Sequence, residues 1–470
     1  MATHPTTFRP VGRTSQRGGA RSRRQGGQPS PLLHPARLVV LAFTGTALLG
    51  SLLLNLPFAT ETGDPVPYST ALFTAVSAVS VTGLVVVDTS QHWSAFGELV
   101  ILGLIQIGGF GITTLASLLG MVVFRRMGLR NRLTTQVEQN EHELGGVRQL
   151  IGRVAVFYAV MEVAGVVLLT AAALVTTDAS PGEALWFAVF HSVSAFNNAG
   201  FSTFSDNLVG FAGNPLVLGI VASLVVVGGI GFPVVADVTR HRARWRRWNL
   251  HTRLTVSTTV VLLVVGALVI GAFEWANPDT LGSMPILDRV TNAGFASVTP
   301  RTAGFNTIDY DLVSEPSLLV TQALMFIGGG SGSAAGGIKV TTFALLGFVI
   351  WSEMRGDDDV NAFGWRVEHR TQRQAVTIAL VGLGLAVGGS LVLAAVTDLS
   401  EGTVAFETLS ALNTVGLSTG ITDGVPVAGQ LVLTVLMLAG RLGPVTVGTA
   451  LVLRNRQTLY RYPEGRPLLG

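Results

Sequence analysis

One short stretch is written four times along this chain: Val81-Thr82-Gly83-Leu84, Asn198-Ala199-Gly200-Phe201, Thr302-Ala303-Gly304-Phe305 and Thr414-Val415-Gly416-Leu417. The four glycines lie 117, 104 and 112 residues apart. A half-length apolar segment precedes each copy, and a full-length one follows it. Three copies share more. Phe73, Phe190 and Phe406 stand ten residues before the glycine, and Ser77-Ala78, Ser194-Ala195 and Ser410-Ala411 stand six and five before it. The third copy is shifted by one residue, with Phe295 nine before its glycine and Pro300 in between. A repeat of this period makes each copy one structural unit that must bury its apolar face against its neighbours.

Composition says in what solvent. Of 470 residues, 49% are hydrophobic and only 13% are charged, against roughly 25% charged in an ordinary soluble domain. The chain reads as a membrane protein. Cysteine is absent, which excludes disulfides, zinc fingers and thiol catalysis. A net charge of +3 gives no general reason to bind nucleic acid. No secretory signal is evident. Residues 1–36 are polar, carry Arg13, Arg17, Arg21, Arg23 and Arg24, and are too poor in apolar groups to fold alone. Two readings stand for this basic tail: contact with anionic lipid, or a docking arm for a partner.

A spanning helix needs ~20 apolar residues. Candidate spans are 38–58, 96–124, 154–175, 215–238, 254–273, 318–351, 375–396 and 430–453. Between them, 69–80, 181–196, 285–298 and 402–412 are too short to cross and lead into the glycine copies. The expected fold is all-α and integral to the membrane. Four pseudo-symmetric repeats, each a span, a re-entrant pore helix with its loop and a second span, would give eight spans around one central pore. The expected divisions are a cytoplasmic tail at 1–36, repeats at 37–130, 148–245, 250–355 and 371–457, and a C-terminal cytoplasmic tail at 458–470. Ser180-Pro181 and Asn214-Pro215 match an N-cap followed by Pro at the first helical position.

Arginines orient the spans. Segments 125–153, 240–253 and 355–373 are rich in them, whereas 58–95, 178–213 and 398–428 contain no Lys or Arg. The positive-inside rule then puts both termini in the cytoplasm and the glycine copies outside.

Non-helical backbone at membrane depth must be buried in protein or line a wet path. Four such stretches imply a pseudo-fourfold ring. Each short helix would aim its partially negative C-terminal end at the axis, which favours a cation. The strands Val81-Thr82-Gly83, Asn198-Ala199-Gly200, Thr302-Ala303-Gly304 and Thr414-Val415-Gly416 would turn carbonyls inward to replace an ion's water shell. Asp88, Asp206, Asp309 and Asp423 follow their glycines by five, six, five and seven residues. They read as an acidic outer mouth that concentrates cations, or simply as loop aspartates.

The span 318–351 is broken by Gly328-Gly329-Gly330-Ser331-Gly332-Ser333-Ala334-Ala335-Gly336-Gly337, followed by Ile338 and Lys339, the only lysine in the chain. Such a break implies backbone facing a cavity. A close-packing glycine seam is the alternative; a phosphate loop would need Gly-Lys-Ser/Thr, which is missing. Arg441 sits mid-span and must face protein or water. Glu162, also within a span, reads as a sodium or proton coupling site or as a bundle-facing hydrogen-bond partner. His191 reads as packed rather than metal-bound. No convergent carboxylate pair, Ser/His set or metal cluster points to an enzyme.

Over residues 36–453 this pattern resembles the Trk/Ktr/HKT superfamily of potassium transporters. The resemblance rests on the four glycine motifs, on Arg301-Thr302-Ala303-Gly304-Phe305-Asn306-Thr307, and on the glycine-rich break in the next helix. With 36 polar residues before the first span, the chain resembles the KtrB-type subunits most. The resemblance implies potassium bound at the twelve filter residues, a gate made of residues 328–337, Lys339 and Arg441 beneath them, and no bound cofactor. It also implies a homodimer and a cytosolic KtrA-type nucleotide-binding ring as regulator; sodium is a candidate activator, and whether it drives or modulates flux stays open. One glycine per loop, rather than a Gly-Tyr-Gly run, predicts fewer ion sites and incomplete rejection of sodium. The competing functional class is a sodium- or proton-coupled alternating-access transporter, which inverted repeats would favour; here all four repeats run the same way.

Overall fold

The computed structural model describes residues 35–128, 142–242 and 244–453. The basic N-terminal tail to residue 34, residues 129–141 of the arginine-rich segment after the first repeat and the C-terminal tail therefore lie outside the described residues.

Among the described residues the fold is all-α apart from one small hairpin. A long helix, a short buried helix, a non-helical strand carrying the glycine copy and a second helical segment follow one another four times, the second segment being one long helix in the first and fourth cycles and two shorter helices in the second and third. The first cycle is α1 (Pro35–Leu54), α2 (Tyr68–Ser80), the small α3 (Thr89–His92) and α4 (Ala95–Gly128). The second is α5 (His142–Thr176), α6 (Pro181–Phe196), α7 (Pro215–Ile230) and α8 (Phe232–His241). The third is α9 (Leu250–Glu274), α10 (Ile286–Val298), α11 (Glu315–Phe326) and α12 (Val340–Arg355). After β1 (Asn361–Ala362) and β2 (Trp365–Arg366), the fourth is α13 (His369–Ala395), α14 (Glu401–Leu412) and α15 (Val427–Leu453).

Local chemistry sets the starts. Ser180 and Glu183 form a reciprocal capping box ahead of α6, with Pro181 at its first position. Asn214 caps α7 by accepting from Val217 N at 3.2 Å, followed by Pro215. Each cap satisfies a backbone donor that the helix itself leaves free.

The cycles close into a ring. The helix that follows the glycine copy in each cycle packs on the short helix of the next: α4 on α6, α7 on α10, α11 on α14, and α15 back on α2. Phe73, Phe190, Phe295 and Phe406 are all buried, so the phenylalanine of every repeat anchors its short helix in the core. The outer helices instead expose apolar side chains, such as Val156, Val160, Val163 and Val167 on α5 and Val260, Val264 and Leu268 on α9. Continuous apolar surface of this kind needs an apolar partner, and lipid supplies it. Among the described residues, four helical stretches are long and apolar enough to cross a membrane: Ala95–Leu115, Arg148–Thr176, Leu250–Glu274 and His369–Ala395.

One expected span is corrected. Residues 215–238 do not form a single helix. α7 and α8 meet at a 95° bend. Gly231, between them, has φ +93°, and Pro233 near the start of α8 has no N–H to continue the ladder. A Cβ at Gly231 would also fall 2.8 Å from the Gly332 carbonyl oxygen. The break thus receives the glycine-rich loop that separates α11 from α12.

Glycines on the long helices seat the short ones. A Cβ on Gly108 of α4, Gly228 of α7 or Gly440 of α15 would strike the carbonyl oxygen of Val79, Phe196 or Leu412 respectively. Each of those carbonyls lies four residues before its repeat's motif glycine. Gly103, also on α4, has open space around it. Gly108→Ala is expected to destabilise the protein by about 1–3 kcal/mol through overpacking, whereas Gly103→Ala is expected to be neutral or stabilising by up to ~1 kcal/mol. Thermal unfolding of both variants in detergent checks the pair.

Candidate functional site

Each short helix ends in the same backbone manoeuvre. Val81, Asn198, Thr302 and Thr414 all have left-handed φ, between +50° and +67°. Two residues on, Gly83, Gly200, Gly304 and Gly416 have φ of +96°, +71°, +75° and +94°. A β-branched residue at positive φ is a genuine outlier, so tertiary contacts must hold Val81, Thr302 and Thr414 there. Serine side chains supply part of that hold. Gly83 N donates to Ser77 Oγ and Gly416 N to Ser410 Oγ, both at 3.1 Å. Ser194 Oγ donates to the Phe201 carbonyl at 2.8 Å. In the shifted third repeat Thr299 takes over and donates to the Phe305 carbonyl.

The four strands meet. A Cβ on Gly83 would strike the Ala199 carbonyl oxygen and lie 3.1 Å from Gly200 Cα. One on Gly200 would lie 2.8 Å from both the Ala303 carbonyl oxygen and Gly304 Cα. One on Gly304 would lie 2.5 Å from the Val415 carbonyl oxygen and 3.2 Å from Gly416 Cα. One on Gly416 would strike the Thr82 carbonyl oxygen, 3.1 Å from Gly83 Cα. The middle carbonyl of each motif therefore packs on the glycine of the preceding repeat, and the ring closes from fourth to first. Thr82, Ala199, Ala303 and Val415 are buried, as are Val81, Asn198, Thr302 and Thr414.

On one side of this ring lies a cavity of about 530 Å³, lined by Gly83, Gly200, Gly416 and all four aspartates, Asp88, Asp206, Asp309 and Asp423. The aspartates also serve their loops. Asp88 accepts from Ser90 N at 2.9 Å, Asp206 from Gly210 N at 2.7 Å, Asp309 from Asp311 N at 3.0 Å and Asp423 from Gly424 N at 2.8 Å. Partial burial works against ionisation of Asp88, but hydrogen bonds from Ser205 and Ser90 outweigh it and hold its pKa below the ordinary value.

Toward the other side lies the glycine-rich loop. Residues 328–338 are buried except Ser331. The loop folds back on itself, Gly328 N donating to the Ile338 carbonyl at 2.9 Å and Val340 N to the Gly329 carbonyl at 3.0 Å. Gly330 N donates to the Gly229 carbonyl at 2.7 Å, which ties the loop to the end of α7. A Cβ on Gly336 would strike Thr414 Oγ1 and lie 2.6 Å from the Asn413 carbonyl oxygen, so the loop touches the fourth strand. Three cations grip its carbonyls. Arg441, 3% exposed, donates to Ala334 and, at 3.4 Å, to Gly108. Lys339 donates to Ala335 at 2.5 Å and Gly336 at 3.4 Å. Arg301 donates to Gly328 at 3.2 Å.

In the sequence Arg301 is marked only as part of a motif, and its hold on the loop comes from the structure; a lone arginine beside a motif glycine is the signal that points to it. The repeat of Ser77, Ser194 and Ser410 is visible in the sequence, but the strand contacts they make are not. Glu162 joins a polar cluster: Gln106 Nε2 and Asn197 Nδ2 each donate to its carboxylate at 3.2 Å, and Asn197 Nδ2 also donates to Gln106 Oε1 at 2.9 Å. These contacts are the ones that the reading of Glu162 as a bundle-facing hydrogen-bond partner calls for. His191 is packed among Phe187, Phe190, Phe204 and Phe305.

The comparisons with known proteins point one way. Residues 34–458 match the family described as TrkH, cation transport protein. The chain is 37% identical to Ktr system potassium uptake protein B of Bacillus subtilis (strain 168), over 93% of this chain and 97% of that one. It is 37% identical to the protein of the same description from Vibrio alginolyticus, over 96% and 97%, and 35% identical to potassium/sodium uptake protein NtpJ of Enterococcus hirae, over 93% and 98%. The crystal structure of the potassium transporter TrkH from Vibrio parahaemolyticus shares the fold, with TM-score 0.68 and 20% identity over 91% of this chain and 86% of that one.

Thr299 offers a test of the third strand. Thr299→Val deletes its hydroxyl and is expected to cost about 1–3 kcal/mol, the desolvation cost of a buried unpaired carbonyl, whereas Thr299→Ser is expected to retain most of the stability. Thermal unfolding of both variants reads the difference.

Proposed function

The chain belongs to the TrkH family of cation transport proteins, and from that premise we propose that it takes up potassium across the cytoplasmic membrane through one channel-like central pore. It is a multi-pass membrane transporter subunit of the Ktr/Trk type, not an enzyme. The observation that carries the proposal is the closed ring of four glycine strands beside an acid-lined cavity.

The physics runs from that ring. The short helices α2, α6, α10 and α14 end at the strands, so four partial negative charges converge on one place. Potassium loses its water shell there and is held by carbonyls of Val81–Gly83, Asn198–Gly200, Thr302–Gly304 and Thr414–Gly416. The acidic cavity raises cation concentration outside. The eight-span arrangement has the glycine strands outward and both termini in the cytoplasm, with 37–130, 148–245, 250–355 and 371–457 as the repeats. Six of the spans correspond to α1, α4, α5, α9, α13 and α15; the bent pair α7–α8 and the interrupted pair α11–α12 supply the others.

Residues 328–337, Lys339 and Arg441 form the gate. The loop is buried and gripped by cationic side chains, and a fixed positive charge on the ion path opposes a cation until it moves or is paired. Regulation comes from a cytosolic nucleotide-binding ring, the chain acts as a homodimer in lipid, and sodium is a candidate activator.

Rubidium uptake into proteoliposomes tests this. Uptake down a potassium-generated gradient, inhibited better by external potassium than by sodium and altered in Gly83→Ser, is expected. Uptake that requires a sodium or proton gradient and ignores Gly83→Ser would favour coupled alternating access instead. For the gate, Arg441→Ala and a loop shortened within residues 331–336 are each expected to raise flux several-fold. Unchanged flux in both removes the gate assignment.

A further inference from the structure

One position on the short helices is used differently from repeat to repeat. Nine residues before the motif glycine stand Thr74, His191 and Glu407; the one-residue shift puts Ala296 at the matching place in the third repeat. Two residues after the glycine stand Val85, Ser202, Asn306 and Ser418. In the second and fourth repeats these two positions are joined. His191 Nε2 and Ser202 Oγ are hydrogen-bonded at 2.9 Å. Ser418 Oγ donates to the Glu407 carboxylate, which also receives Thr419 N at 3.3 Å and Thr422 Oγ1 at 3.2 Å. In the first repeat the join is absent: Val85 has no hydrogen-bonding side chain, and Thr74 Oγ1 has no partner.

The joined repeats face each other across the ring, because the glycines close in the order first, second, third, fourth, first. Both joins are dry at the helix end. Glu407 and His191 are 0% exposed. Both meet side chains that line the outer cavity, Ser202, Ser418 and Thr422. In the second repeat His191 Nδ1 donates to the Phe187 carbonyl at 2.9 Å, so Nε2 of the neutral ring accepts from the Ser202 hydroxyl. Separately, Asn207 Nδ2 donates to the Gly200 carbonyl at 3.2 Å.

We propose that His191 and Glu407 are positioning residues that clamp two opposite strands of the filter through Ser202 and Ser418, so that the outer filter is rigid along one diagonal, and that this rigidity sets the preference for potassium over sodium. The inference rests on the filter reading of the glycine ring. It follows from how such a ring discriminates. A smaller ion is rejected only if the carbonyls cannot close in on it, and a strand free to move inward loses that rejection. Two clamped strands facing each other keep one dimension of the ring fixed.

The test uses the purified full chain in detergent, and its readout does not need an open gate. Thermal stability is followed against potassium chloride and sodium chloride at constant ionic strength, and the ratio of the two half-maximal concentrations is the preference. The wild type is expected to be stabilised at lower potassium than sodium. Ser418→Ala, Ser202→Ala and Glu407→Gln are each expected to lower that preference by about threefold to tenfold, the size of one hydrogen bond's contribution. Ser418→Thr keeps the hydroxyl and is expected to restore it. Thr74→Val, at the unclamped position, is expected to leave it unchanged. Glu407→Gln combined with Ser418→Ala is expected to lose no more than the larger single loss, because the two residues act through one contact. Wild-type preference in both serine-to-alanine variants would overturn the clamp alone, whether or not Glu407→Gln folds; so would an equal loss in Thr74→Val. A wild type stabilised equally by both cations would overturn the filter reading and the clamp with it.

Discussion

Backbone carbonyls resting on glycine α-carbons hold this structure together. The contact appears at two levels. On the long helices Gly108, Gly228 and Gly440 leave room for the carbonyl oxygens of Val79, Phe196 and Leu412, which lets the ends of three of the four short helices come within backbone distance of the helix beside them. In the ring itself, Gly83, Gly200, Gly304 and Gly416 leave room for the carbonyls of Ala199, Ala303, Val415 and Thr82. Any larger residue would push the repeats apart at their narrowest point. Only glycine serves both needs in the ring, because it combines the missing Cβ with an easy positive φ. The cost is a chain rich in residues that weaken helices, offset by lipid and by tight packing.

Much of this was legible before any coordinates. The four glycine copies, the short helices at 181–196 and 402–412 and the caps at Ser180 and Asn214 follow from spacing and from simple end chemistry. The aspartates at matched offsets do fall on one cavity. What sequence could not carry was anything set by contact between repeats. The break at Gly231 lies inside an apolar run that reads as one span. It bends because the glycine-rich loop, distant in sequence, comes against it. The third repeat's shift by one residue was visible, but not that Thr299 would replace the repeated serine. The His191–Ser202 and Glu407–Ser418 joins were hidden for a related reason: the residue types differ, and only the position is shared.

Charge is laid out along the same axis. Carboxylates line the cavity on one side of the ring, and Arg301, Lys339 and Arg441 gather at the loop beneath it. Among the described residues, neither Arg301 nor Arg441 nor Lys339 is paired with a carboxylate; the ion pairs there include His241 with Asp237 and Arg366 with Asp359. Their hydrogen bonds go to loop carbonyls instead. A cation drawn in from the acidic side would thus meet carbonyl dipoles at the ring and then a positive field below it. On the proposed reading, attraction outside, dehydration in the middle and repulsion beneath make a pore whose release of the cation waits on the loop.

The most direct test of this account is to locate the ion. Rubidium soaked into the purified protein gives an anomalous signal. The account predicts that signal on the axis, inside the ring formed by Gly83, Gly200, Gly304 and Gly416 and within coordinating distance of backbone carbonyls from all four repeats. Rubidium bound only at the Glu162–Gln106–Asn197 cluster, with an empty ring, would contradict it.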